Sequence, residues 1–341
     1  MSHEIEIVNG QASMAYVGET PWHGLGVRLP DEVAPYQMME AAGLDWAVEK
    51  QALVTAEGAA VTEKEALVRT SDNKVLDIVG KNWNPVQNEE AFNFFNDFCA
   101  TGGMSMHTAG SLKGGQVVWA LAKVNDSFEL FGGDKVESYL LFSNPHKFGQ
   151  AIDVRFTPIR VVCNNTLTFA LSQGGTASFR MPHVRAFNED VMEAAQEALG
   201  LSAQTMADFK NKAQFLAQKK AKHSNVLEFI SEVYQPSLLE EFRQEMKQKE
   251  EGKLVGDIVP IKDRFNKYPA LVVEALERQP GAELKSSKGT WWGALNAVTY
   301  VEDHLRESND EGNNLHSAWF GAGANRKARA LDLAVKYAEA A

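Results

Sequence analysis

Between Met104 and Phe156 four apolar runs alternate with polar, glycine-bearing connections, and this stretch limits the possible folds more than any other. Met104–Ala109 and Gln116–Val124 flank Gly110–Gly115, while Val136–Phe142 and Ala151–Phe156 flank Ser143–Gln150. Apolar runs of strand length on either side of short turn-rich connections are the pattern of antiparallel hairpins. Two hairpins are expected, the first carrying Lys113 at its tip and the second carrying Asn144, Pro145, His146 and Lys147. A further strand group, Ala52–Thr55, Ala66–Thr70 and Val75–Val79, precedes them, with Asp72-Asn73 as a hairpin turn. Pro85 then opens a helix in which Ala91, Phe94, Phe95 and Phe98 recur at helical spacing, until Thr101-Gly102-Gly103 stops it. Residues 1 to about 35 read as irregular or extended, punctuated at Thr20-Pro21 and Gly24-Leu25-Gly26.

The segment after the hairpins changes period. Thr157-Pro158 has the form of an N-cap followed by proline at the first helical position, which predicts a helix from Pro158 to about Ser172, ended by Gly174-Gly175. Arg155 would close the incoming strand and Arg160 would stand in the first helical turn, against the dipole preference for anions there. Arg160, Asn164, Thr168 and Ser172 recur every four residues as a polar stripe. Such a terminus suits a phosphate. It is equally suited to a local pair between Arg160 and an acid such as Asp153.

From Asn188 onward the pattern is nearly all helical: Val191–Leu199, Ala203–Lys222, Asn225–Tyr234, Pro236–Lys247, Ala270–Arg278, Trp291–Arg306 and Arg326–Glu339. Gly252–Asp263 and Glu307–Asn314 read as exposed connections. The expected class is α+β, with a β-hairpin-rich N-terminal half containing inserted helices and a mainly helical C-terminal half. The division falls between residues 1–185, the α+β core with the Arg160 helix, and 186–341.

Charge is unevenly spread. The net charge is −11, yet residues 151–222 carry nine Lys and Arg against six Asp and Glu, whereas residues 1–150 carry ten against twenty. A basic island in an acidic chain is where an anionic ligand would be sought. The C-terminal run Gly321-Ala322-Gly323-Ala324-Asn325-Arg326-Lys327 repeats the theme, with glycines ahead of a helix and cations in its first turns, balanced by Asp332 and Glu339 if the helix is merely a surface one. Lys210, Lys212, Lys219, Lys220 and Lys222 load one helix and read as a solvated face, or as a groove that tracks a nucleic-acid backbone. Trp291 and Trp292, beside Lys285 and Lys288, read as core or as base-stacking aromatics.

Other chemistries have little support. There is no His-Glu-x-x-His, no Cys-x-x-Cys, no Gly-x-Ser-x-Gly and no P-loop spacing, so no metal, cofactor or catalytic group is expected. Cys163 near Arg160 reads as an inert buried thiol, with an enzyme using its thiolate as the remote alternative. Glu302-Asp303-His304 reads as a charged helical turn, and Trp22-His23 suggests no chemistry. The two cysteines and an N-terminus without a basic, then apolar, leader fit a cytoplasmic protein.

Four segments, Pro21-Trp22-His23-Gly24-Leu25-Gly26, Arg160–Leu167, Gly289–Thr299 and Gly321–Leu331, together resemble the phage/plasmid-like proteins of unknown function. Those occur in phages, prophages and conjugative plasmids of bacteria. The resemblance spans most of the chain, and Arg160-Val161-Val162-Cys163-Asn164-Asn165-Thr166-Leu167 is its specific core. By architecture the order of strands, helix, hairpins and an Arg-bearing helix is also similar to the phage single-strand annealing proteins of the Red beta, RecT, Erf and Rad type. That similarity implies binding of single-stranded DNA along its backbone and assembly into rings or helices.

The expected function is therefore a mobile-element DNA-transaction protein that binds single-stranded nucleic acid, with strand annealing in recombination as its activity. The expected contacts are Arg155, Arg160, Asn164, Lys113, Lys147, Arg326 and Lys327, in a homo-oligomer that needs no cofactor and no membrane. The rival expectation is an interaction protein, an anti-restriction factor or DNA mimic that docks on a host protein through the acidic first 150 residues.

Overall fold

A computed structural model describes residues 5–19, 21, 24–162, 165–166, 178–183, 206–254, 256–307 and 313–340. The chain opens with β1 (Ile7–Val8), β2 (Gln11–Ala12), β3 (Met14–Val17), β4 (Val27–Leu29) and α1 (Pro35–Ala41). A three-stranded group follows, β5 (Val48–Val54), β6 (Ala60–Arg69) and β7 (Val75–Gly80), then α2 (Asn88–Thr101). The long strands β8 (Ser105–Leu112), β9 (Val117–Leu130), β10 (Asp134–Pro145) and β11 (Ile152–Arg160) come next, with the short β12 (Asn165–Thr166) and β13 (Ser178–Met181). The rest is helical: α3 over 206–218, then α4 (His223–Tyr234), α5 (Pro236–Glu250), α6 (Lys267–Arg278), α7 (Trp291–Tyr300), α8 (Asn313–Phe320) and α9 (Ala322–Glu339). The protein is α+β, with strands concentrated in its first half and helices in its second. Among the described residues no helix is long and apolar enough to cross a membrane.

The main sheet has the order β12-β11-β10-β9-β8-β3-β4, with β13 also on β11, and β5-β6-β7 form a separate sheet. Both expected hairpins are present: β8 pairs with β9 and β10 with β11, each antiparallel. Alternation along β9 divides two cores. Val118, Ala120 and Ala122 face one side, where Phe92, Phe95 and Met38 of α2 and α1 cover them. Val117, Trp119 and Leu121 face the other, against Ala318 and Trp319 of α8. Towards its far end the same sheet gives Phe128, Leu130, Val136 and Phe156 to a third core, shared with Phe209, Phe229, Trp291 and Trp292 of the helices. Period-two alternation with both faces apolar is what a sheet covered on both sides requires.

One local expectation fails for a physical reason. Thr157 and Pro158 do not start a helix: they lie in β11, opposite Tyr139 and Ser138. On the outer edge of β11, β13 pairs with Ile152–Arg155 and β12 with Ile159 and Arg160. Pro158 falls in the gap between them, the kind of position a sheet allows a residue without an N–H. Arg160 is therefore in a strand and not in a helical turn. Residues 163, 164 and 167–172 of the expected helix lie outside the described residues, as do Trp22 and His23. At the N-terminus the stretch read as irregular or extended contains four short strands, and α1, begun by Pro35, buries Met38 and Met39.

Trp291 and Trp292 are core residues, both fully buried, and do not face a ligand. The start of α7 is fixed by Thr290, whose hydroxyl accepts from the Gly293 N–H at 3.2 Å. Gly293 is required there because a Cβ would collide with the Ser287 carbonyl. Of the lysine-rich stretch, Lys210, Lys220 and Lys222 are exposed, as a solvated face would be.

Candidate anion-binding surface

The tips of the two long hairpins lie at one end of the sheet. At the first tip Lys113, Gly114 and Gly115 have φ of 54°, 63° and 94°, three left-handed residues in succession. Lysine in that region costs about 1–2 kcal/mol, so the turn is held by its surroundings. Beside it Arg69 is buried, donating to both oxygens of Asp72 at 2.9 and 2.6 Å and to Glu6 Oε1 at 2.9 Å. At the second tip the Gln150 N–H meets the Lys147 carbonyl at 3.4 Å, and Gly149 takes φ 78°.

Helix α8 crosses this end. Trp319 packs edge-on to Trp119 of β9 at 4.8 Å between ring centroids, which carries His316 to the hairpin tips. His316 Nε2 stands 3.5 Å from Gln150 Nε2. Its pKa is pushed down to about 4, first by burial and then by the positive charges of Lys113, Lys147 and Arg155. Three of the cations expected from the sequence thus lie near enough for their charges to act on one histidine.

Arg155 is fastened rather than free. It grips Asp153 with Nε and Nη2, both at 2.5 Å, and donates from Nη1 to the Trp319 carbonyl at 3.2 Å. Its guanidinium stands 5.3 Å from the Phe320 ring centroid. Asp153 also takes Arg180 Nε at 3.1 Å, so one carboxylate is shared by two arginines and positive charge remains. Asp153, named from the sequence as a local acid for Arg160, pairs with Arg155 and Arg180, and the Arg160 side chain lies outside the described residues.

Arg326 and Lys327, expected as ligand contacts at the start of α9, are held in ion pairs, Lys327 buried and Arg326 partly exposed. Helix α7 ends in a π-helical turn, Val301–Leu305, which turns Glu302 and Asp303 inward. Glu302 accepts from the Tyr234 hydroxyl at 2.8 Å, from Arg306 Nη1 at 2.9 Å and from Arg326 Nη1 at 2.7 Å. Lys327 Nζ, only 1% exposed, donates to Asp303 Oδ1 at 2.6 Å. Burial pulls the Lys327 pKa down and Asp303 and Glu302 oppose that pull. Lys327 therefore cannot touch a ligand outside, and Arg326 is committed to Glu302. Asn164 and Cys163 lie outside the described residues, and of Arg160 only the backbone pairing to Val136 and Asn165 is described.

His316 and Gln150 are not marked by the sequence, and Glu302-Asp303-His304, read there as a charged helical turn and little more, is helical but turns its acids inward. The missed signal was the spacing of Leu315, Ala318 and Trp319, a short amphipathic helix hidden behind a polar connection. Among the described residues no group of three His, Cys, Asp or Glu could hold a metal ion.

These features define an α+β protein with a cationic end built from two hairpin tips and one helix. Residues 75–319 match the model of a domain of unknown function (DUF932), and the chain belongs to that family. The matched span runs from β7 into α8, so it takes in Lys113, Lys147, Arg155, His316 and the Glu302–Asp303 pair. Comparison with curated proteins gives no match, and neither does comparison with solved structures.

Proposed function

We propose that the protein binds single-stranded nucleic acid at the hairpin-tip end of its main sheet, as a DNA-transaction protein of a phage or plasmid type whose activity is strand annealing. The convergence of Lys113, Lys147 and Arg155 on His316 supports this reading. A polyanion suits such a cluster, because the positive charges that add to the effect of burial on His316 are themselves relieved by phosphate. Lys113 and Lys147 are both half-buried. Backbone binding leaves bases free to pair, which is all that annealing asks of a protein without a cofactor. Assembly of several copies would carry the track along the strand.

Electrophoretic mobility shift of a labelled oligonucleotide across a salt series tests it. Binding should weaken as salt rises, and Lys113→Gln with Lys147→Gln should lower the salt slope by roughly 1–2. Absence of binding at low salt, or binding indifferent to salt, removes the proposal.

A second reading is supported by the far end of the β5–β6 hairpin, exposed on both faces from Thr55 to Lys64 and carrying Glu57 and Glu63. In that reading the acidic first half docks on a basic host protein as an inhibitor or decoy. Recovery of one stoichiometric protein partner free of nucleic acid would favour it.

A further inference from the structure

The turn between β10 and β11 holds one residue that the cation cluster leaves unexplained. Phe148 is 58% exposed at the apex of that turn, next to Lys147. Leaving such a ring in water forgoes about 1.5–3 kcal/mol of burial, and turn positions rarely carry one. The ring is nevertheless held in place. The backbone N–H of Phe148 donates to Asp77 Oδ2 of β7 at 2.7 Å, which fixes the turn and engages the acid there. Lys64 Nζ of β6 stands 5.1 Å from the ring centroid, a cation on a π face. On the neighbouring tip Lys74 Nζ lies against Gly114, beside Lys113.

We propose that Phe148 is a stacking platform for a nucleobase of single-stranded nucleic acid, with flanking phosphates drawn to Lys64 and Lys147. The proposal rests on the nucleic-acid reading above and adds the base contact that reading lacks. Charge complementarity selects the occupant. A ring with the Lys64 ammonium against it and Lys147 next in the chain suits a polyanion that carries its own π faces, whereas an apolar peptide would have to desolvate the lysines without compensation. Every base has a π face, so the contact carries no strong sequence preference.

The test compares full-length wild type with Phe148→Ala, Phe148→Leu and Phe148→Trp, using fluorescence anisotropy of a labelled oligo-dT at two salt concentrations. Phe148 is at the surface, so all three variants should fold, which their circular dichroism verifies. Phe148→Ala and Phe148→Leu should weaken binding by roughly 5- to 150-fold without altering the salt slope, and Phe148→Trp should keep it. An oligonucleotide carrying 5-iododeoxyuridine should cross-link to Phe148 on irradiation. If wild type binds in a salt-dependent way but the alanine and leucine variants bind equally well, stacking is overturned and the nucleic-acid reading survives. If leucine alone replaces phenylalanine fully, the contact is apolar and stacking is again overturned. If wild type does not bind, both proposals fall together.

Discussion

His316 stays neutral at pH 7 because burial and three cations both disfavour the imidazolium. Removing positive charge must therefore raise its pKa, and so must adding an anion. Lys113→Gln with Lys147→Gln should move the His316 titration upward from about 4, as should saturation with an oligonucleotide, both read by NMR of the imidazole resonances. A titration indifferent to either change would mean that His316 does not sense this surface. Lys327 makes the opposite case, a cation inside the protein that donates to the Asp303 carboxylate at 2.6 Å. Lys327→Ala removes a buried countercharge of the Asp303 carboxylate and should cost roughly 3–5 kcal/mol in urea unfolding. Restoring balance with Asp303→Ala in the same chain should recover much of that loss, and a double variant as unstable as the single one would refute the pairing.

At the scale of elements, Gly293 and the histidine clasp each set a geometry. Gly293→Ala places a methyl on the Ser287 carbonyl, and the usual helix preference of alanine, about 1 kcal/mol, cannot offset a collision with backbone. A net loss of roughly 2–4 kcal/mol in denaturant midpoint experiments is expected. The clasp sits at the start of α2, where Asn88 Oδ1 accepts from His146 Nε2 at 2.9 Å and Asn88 Nδ2 donates to the Leu44 carbonyl at 2.9 Å. His183 stacks on Trp83 at 4.2 Å. Burial lowers His146 to about 3 and His183 to about 4. In the unfolded chain both titrate near 6.5. Between those values the unfolded state holds more protons, so stability is fully present above about 6.5 and is lost as pH falls towards 4. The urea midpoint should be lower at pH 5 than at pH 7.5, and His146→Gln should flatten that slope; a midpoint independent of pH would contradict it. Element identities were legible where period and punctuation agreed, as in Pro236 opening α5 or Asp72-Asn73 turning β6 into β7. They were illegible where a distant partner decided. Thr157-Pro158 has a sound local helix start, but β10 offers it a ladder of eight residue pairs. Likewise Lys113, Lys147 and Arg155 could be picked as cations, whereas His316 could be placed among them only by Trp319 finding Trp119.

The whole molecule is tied together by cores that ignore the division of the chain into a stranded and a helical half. Phe128, Leu130, Val136 and Phe156 of the sheet are buried only with the helices in place, packed with Phe209 and Trp292. A buried carboxylate repeats the connection: Asp134 Oδ2, at the start of β10, accepts from Ser286 Oγ at 2.6 Å and from Trp292 Nε1 at 3.0 Å. At the other end Trp319 closes the sheet face over Trp119, Leu121 and Leu141. If the halves share their cores, they cannot unfold separately, since either alone would expose large apolar faces to water. Far-ultraviolet circular dichroism and tryptophan fluorescence should therefore give one coincident urea transition. Trp319→Ala should shift that single transition by roughly 3–5 kcal/mol, the usual cost of deleting a large buried aromatic, without splitting it. A second transition appearing in the variant would show that α8 docks on a sheet that is stable without it, and the cationic end would then be an assembly of two independently folded parts.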